Sequence, residues 1–180
     1  MNAVSTSLEA RPQAAGTRPR SFAEVAEAEL ESVYRYLVYL TGDRSLAEDL
    51  TGETFERALR SWRRFDPRRA APRTWLCQIA RSAALDHFRS DRRRRRREEV
   101  YARDREPALE TVFSEGLSGP LEEALRELSA AEREVVALRV VLDLDGPAAA
   151  RVLGISHTAC STRLSRALRR LEEKIGHVCD

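Results

Sequence analysis

The chain has 180 residues, 42% hydrophobic and 33% charged, a balance that suits a globular protein of one domain or two small ones. No apolar run approaches the roughly 20 residues that cross a bilayer, and the N-terminus lacks the basic start and apolar middle of a signal peptide, so a cytoplasmic protein with no membrane partner is expected. The net charge of +2 hides strong segregation: residues 24–56 sum to −7, residues 57–97 to +12 and residues 98–134 to −7, which points the middle block at a polyanion and leaves its acidic neighbours for basic surfaces.

Residues 1–20 carry Ala, Ser, Thr, Pro and Arg without periodicity and read as a disordered leader. Ser21 and Glu24 have capping-box spacing, and Phe22, Val25, Val33, Tyr36, Leu37 and Leu40 form the stripe of a first helix that stops at Gly42. Ser45 and Glu48 repeat the capping signal. Leu50, Phe55, Ala58, Leu59 and Trp62 continue a second helix until Asp66 and Pro67 break it. Gly52 sits inside that helix, where glycine costs about 1 kcal/mol relative to alanine. From Arg73 a third helix places Trp75, Leu76, Ile79, Ala80, Ala83 and His87 at three- and four-residue steps and ends in six arginines, Arg92 to Arg97. Tyr34, Phe55, Trp62, Phe65, Trp75 and Phe88 are the expected bulky core members.

Residues 98–119 are acidic and aperiodic, with Pro107, Gly116 and Gly119, and read as a linker. A second module opens at Pro120: Leu121, Leu125 and Leu128 mark one short helix, and Ser129 with Glu132 caps another whose Val135, Leu138 and Leu142 face inward. Pro147 stands at the first position of an Ala-rich helix. The turn Gly154-Ile155-Ser156 then leads into a long helix with Cys160, Leu164, Ala167, Leu168, Leu171 and Ile175 on one face, before a tail at residues 177–180. The expected fold is all-α, with two small helical domains at residues 21–97 and 120–176 joined by a flexible linker and no strand candidate.

A short helix, a turn opening on glycine and a capped longer helix make the helix-turn-helix pattern. Its second helix enters the major groove, which points to His157, Thr158, Ser161, Thr162, Arg163, Arg166 and Arg169, with Arg170 further out, as the DNA-facing set. Six adjacent arginines point all around a helix, so they neutralise phosphates without reading one groove. Reading by the third helix falls to Arg81, Ser82, His87 and Arg89, and polar and aromatic groups beside a basic channel also suit unstacked single-stranded bases. Trp75 and Phe88 serve equally well as core. His87, His157 and His177 have no metal-ligand spacing with Cys77, Cys160 and Cys179, and these three separated cysteines form no disulfide framework. No phosphate loop or nucleophile-base pair appears, so neither an enzyme nor a cofactor site is expected. A conventional helix-turn-helix regulator with an acidic N-terminal dimerisation or ligand domain remains the alternative.

Two pairs of segments carry a resemblance. TGDRSLAEDLTGETFERALRSWRRFDP with RTWLCQIARSAALDHFR resembles region 2 of the extracytoplasmic-function (ECF) class of bacterial sigma factors. LEEALRELSAAEREVVALRVV with AARVLGISHTACSTRLSRALRRLEE resembles region 4, in the same order and over residues 22–176 together. The resemblance implies a protein that binds core RNA polymerase and opens promoter DNA without chemistry of its own. It implies that Asp49, Glu53, Phe55 and Arg57 meet the clamp helices of the β′ subunit, and that residues 73–97 melt and hold the −10 element. Arg73, Trp75, Arg81, Ser82, His87, Arg89, Arg92 and Arg93 would carry the −10 contact, double- and single-stranded. The helix opening at His157 would read the −35 element, the last helices would sit on the β flap, and an anti-sigma factor would be a further partner. Three positions depart from the family pattern. Gly52 replaces a common Gln, Ser82 stands near a common Asn, and Ser161 replaces a basic residue in the recognition helix.

Overall fold

The computed structural model describes residues 21–99 and 119–176. The expected leader, the tail and residues 100–118 of the expected linker lie outside the described residues. Helix α1 (Phe22–Thr41) opens with the anticipated capping box: the Ser21 amide donates to Glu24 at 2.8 Å and the Glu24 amide donates to the Ser21 hydroxyl at 3.3 Å. It ends at Gly42, whose φ of 68° turns its N–H back onto the Val38 carbonyl at 2.8 Å, a left-handed geometry that glycine adopts without a Cβ penalty.

That sharp stop changes where α2 (Arg44–Ser61) begins. The expected cap at Ser45 is not used, because the chain leaving Gly42 presents Asp43 in extended geometry, and its carboxylate accepts the Leu46 amide at 3.0 Å. Inside α2, the buried Thr51 and Thr54 hydroxyls each donate to the carbonyl four residues back at 2.6 Å, so the packed face carries no unpaired hydroxyl. A 3-10 turn at Trp62–Arg64 closes the helix. The connector then leads into α3 (Pro72–Glu99), which runs unbroken through all six arginines.

Helices α1, α2 and α3 pack as a three-helix unit. Val33, Tyr36, Leu37, Ala47, Ala58, Leu76, Cys77 and Ala80 are fully buried in it. Around one end, Phe22, Phe55, Trp62, Phe65 and Trp75 form an aromatic cluster. Trp62 stacks on Phe65 at 5.0 Å, and Phe65 lies 4.8 Å from Trp75. Phe88 is not part of the core: it is 37% exposed, on a stretch of α3 in which residues 86–90 are all exposed. Leu59 is likewise exposed on the outer face of α2.

In the second module, α4 (Gly119–Glu127) and α5 (Ala130–Val136) are followed by a π-turn segment at Ala137–Val141. Ser129 and Glu132 form the capping box expected of them. Helix α6 (Gly146–Leu153) is capped by Asp145, which puts Pro147 at its second position. Gly154, with φ of 66°, ends α6, and α7 (His157–Gly176) packs against α4, α5 and α6. All described elements are helical. The modules also touch: α1 lies against α5 and the π-turn segment, and α3 lies against α6.

Gly52 is exposed, and a Cβ built there would meet nothing within 4 Å. Gly52→Ala is therefore expected to stabilise the protein by about 1 kcal/mol, read as a higher urea midpoint with an unchanged slope.

Candidate polymerase and nucleic-acid interfaces

Along α2, Asp49 is exposed, whereas Glu53, Phe55 and Arg57 are half-buried. The Arg57 guanidinium donates to Glu53 at 2.5 Å and across to Asp86 of α3 at 3.2 Å. Burial lowers its pKa, but the hydrogen bonds to Asp86 and Glu53 outweigh that and hold it above its ordinary value. Arg57 thus ties α2 to α3. Phe55 belongs to the aromatic cluster, with its ring 6.5 Å from that of Phe22. Of the four residues expected at the polymerase, Asp49 projects most fully, beside an outer row of Glu48, Gly52 and Glu56.

On α3 the expected DNA contacts fall into two groups. Arg73, Trp75 and Arg81 are half-buried near the bundle, while Ser82, His87, Arg89, Arg92 and Arg93 are exposed further along. Arg73 donates to Glu29 at 2.6 Å and to the Leu142 carbonyl of the second module at 3.3 Å. Arg81 donates to Glu134, also of the second module, at 2.7 Å. Asp91 holds Arg94 at 2.5 Å and Arg95 at 2.7 Å, which moderates the repulsion among neighbouring arginines. Beside Trp75 and Phe65 lies an open groove of about 530 Å³, walled by Arg64, Arg69, Gln78 and Arg151.

Helix α7 presents His157, Thr158, Ser161, Thr162, Arg166 and Arg169 outward, with Arg163 half-buried. Cys160, Ala167 and Leu171 anchor the opposite face. The Ser156 hydroxyl accepts the Ala159 amide at 3.1 Å and so starts the helix. Gly146 makes room for the His157 ring: a Cβ built there would lie 2.4 Å from its Nε2. Arg169 pairs with Glu173 at 3.7 Å and Arg170 with Glu132 at 2.9 Å. Burial raises the Cys160 thiol and pushes Cys77 up to about 12, so both are protonated, inert packing groups.

The family Sigma-70 region 2 matches residues 25–94, and Sigma-70, region 4 matches residues 118–171. The ECF RNA polymerase sigma factor SigM of Bacillus subtilis is 31% identical over 160 residues, covering 83% of this chain and 91% of its own length. The chain belongs to the ECF sigma factors.

A second relative, the ECF RNA polymerase sigma factor BldN of Streptomyces coelicolor, is 37% identical over 155 residues; the match spans 84% of this chain but 59% of that relative. Among solved structures, the sigma factor RpoE in complex with the anti-sigma factor NepR from Bartonella quintana superposes with a TM-score of 0.67 at 25% identity, covering 86% of this chain and 96% of that one. The protein is thus a sigma factor that directs RNA polymerase to promoters for transcription initiation, a non-enzymatic role. The region 2 match removes the conventional regulator as an alternative. No described helix is long and apolar enough to cross a membrane.

What sequence reading of this sigma factor missed lies between its modules. The Tyr36 hydroxyl donates to Glu134 at 2.8 Å, on the same carboxylate oxygen that Arg81 reaches. Gln78 donates to the Arg151 carbonyl at 3.3 Å, and Arg151 donates to the Arg69 carbonyl at 2.7 Å. Tyr36 reads from sequence as an apolar-stripe residue and Glu134 as one member of an acidic block. No spacing rule connects residues so far apart in the chain.

Burial, and then the Glu134 charge, push the Tyr36 phenol well above its ordinary 10.0. The folded protein favours the neutral phenol, so the stability associated with it is complete below about pH 10 and is lost as the pH rises toward the folded value. In urea denaturation across that alkaline range, Tyr36→Phe is expected to lose less stability than the parent.

Proposed function

We propose a division of labour among three helices of this sigma factor. The outer face of α2, led by Asp49 and Glu53, meets the clamp helices of the polymerase β′ subunit. Region 2, with Arg73, Trp75, Arg81, Ser82, His87, Arg89, Arg92 and Arg93 on α3, holds the −10 element as its strands part. The exposed face of α7, from His157 to Arg169, reads the −35 element as duplex, and the apolar edge around Leu164 and the exposed Leu168 rests on the β flap.

The observation that carries this reading is the two-faced character of α7. Thr158, Ser161, Thr162, Arg166 and Arg169 lie exposed away from Cys160, Ala167 and Leu171, with His157 exposed at the helix start and Arg163 half-buried at the flank, as suits a helix entering a major groove. The arginine run supports the −10 assignment through its position. It sits where α3 has left its bundle, exposed on every side, and supplies phosphate neutralisation without base selection. The protein acts in the cytoplasm, where its polymerase and promoter DNA are, and an anti-sigma factor is a further partner. That partner is supported by the likeness to RpoE in its complex with NepR.

Two measurements test these roles. Asp49→Arg with Glu53→Arg is expected to abolish co-elution with core polymerase while the helical circular dichroism stays unchanged; persistent binding would overturn the clamp assignment. Replacing Arg92 and Arg93 by Gln is expected to lower the slope of log affinity against log salt by about 2 for duplex DNA, with little change in the ranking of promoters selected from a genomic library. An unchanged slope would remove the arginine run from the DNA contact.

A further inference from the structure

Gly146 opens α6, the first helix of the helix-turn-helix, and the side chain that lies against it comes from α7, the second. A Cβ built on Gly146 would fall on Nε2 of the His157 ring and 2.8 Å from its Cδ2. One edge of the imidazole is thus seated where a side chain at position 146 would stand. Gly146 is not one of the glycines with positive φ, which are Gly42 and Gly154. A left-handed backbone is therefore not what calls for glycine here, and the room it leaves is taken by the ring.

Both sides of the contact are fixed. On the α6 side, the Asp145 carboxylate accepts the Ala148 amide at 2.7 Å, Pro147 has its φ locked by its ring, and Ala149, Ala150, Val152 and Leu153 are buried. On the α7 side, the Ser156 hydroxyl accepts the Ala159 amide at 3.1 Å and Cys160 is buried. His157 itself is exposed beyond the contact. An exposed side chain held at neither edge samples several rotamers, each of which carries its polar atoms to a different place. A ring seated in advance escapes that ordering cost when it meets a partner. His157 is also the first residue of α7, at the end of a recognition helix that meets base edges in the major groove.

We propose that Gly146 is a positioning residue for promoter selection: lacking a side chain, it seats the His157 ring on the first turn of α6 and fixes which edge of that ring is offered to a base of the −35 element. The inference rests on the assignment of α7 to the −35 element made above. The atoms that a methyl group at position 146 would strike are the far end of a side chain and not backbone, so the ring gives way while the fold persists. Gly146 also precedes Pro147, where a Cβ is crowded for reasons of backbone alone, and the same change is therefore made with and without the ring.

The test reconstitutes the full chain with core polymerase and selects from a promoter library randomised across the −35 element. The parent, Gly146→Ala, His157→Ala and the double variant are compared. His157→Ala is expected to weaken the parent's base preference about tenfold at one −35 position. Gly146→Ala is expected to weaken it there by a similar factor, with helical circular dichroism and co-elution with core polymerase as in the parent. The double variant is expected to lose no more than His157→Ala alone, since the methyl then has no ring to displace. Full retention of the preference in Gly146→Ala, or a further loss in the double variant, overturns Gly146 as the positioning residue and leaves α7 as the −35 reader. Full retention in His157→Ala overturns the ring as a base contact. Loss of the helical fold in Gly146→Ala overturns the inference too, because the ring would not be what yields. A parent that selects no −35 sequence overturns the α7 assignment, and the inference falls with it.

Discussion

One oxygen of Glu134 holds the two halves of this molecule in register. It receives the Tyr36 hydroxyl from α1 and the Arg81 guanidinium from α3, so α5 is fixed against two helices of the other module at once. Both the carboxylate and the phenol are buried, and removing either donor would leave charge or a hydroxyl without its partner in a low-dielectric junction. The remaining contacts between modules are consistent with that anchor. Arg73 meets the carbonyl of Leu142, and Gln78 and Arg151 exchange bonds with backbone on either side.

Such a junction gives position more than stability. The Coulombic gain between Glu134 and Arg81 is offset by the cost of drying both charges, so the bond specifies an arrangement while leaving it reversible. That suits a sigma factor, whose two DNA-binding modules must reach separate promoter elements. The interiors of the modules are built differently. Tyr36 apart, they consist of aliphatic and small residues, with the aromatic cluster at Phe22, Phe55, Trp62, Phe65 and Trp75 closing one end. These resist opening because separation would expose apolar surface with nothing to replace it.

Helix α3 shows how one element serves both ends. Its first turns are packed, and Leu76, Cys77, Ala80, Ala83 and Ala84 have almost no exposure. Past Asp86, which still holds Arg57 of α2, the residues are mostly exposed, and the same periodic sequence becomes a solvated stretch carrying Phe88 and the arginines outward. Periodicity alone could not separate these halves, which is why Phe88 reads as core and is found exposed. A similar limit applies at Ser45. Its spacing to Glu48 is right for a cap, but the left-handed Gly42 delivers Asp43 to that position first, and the helix starts there.

The sequence by itself determined the all-helical fold, the order of the elements and the identity of the family. Each depends on local signals: capping boxes at Ser21 and Ser129, stops at Gly42 and Gly154, and apolar residues repeating at the helical period. The inward and outward faces of α7 were legible for the same reason, since a helix separates its faces by spacing alone. Only the tertiary structure decided that Arg57 ties α2 to α3, that Phe55 and Trp75 serve the aromatic cluster, and that Arg73 and Arg81 turn toward the second module. These outcomes depend on contacts between residues from 10 positions apart, as for Phe65 with Trp75, to 98, as for Tyr36 with Glu134. No local pattern encodes such a meeting; it follows from how packed helices place their side chains in space.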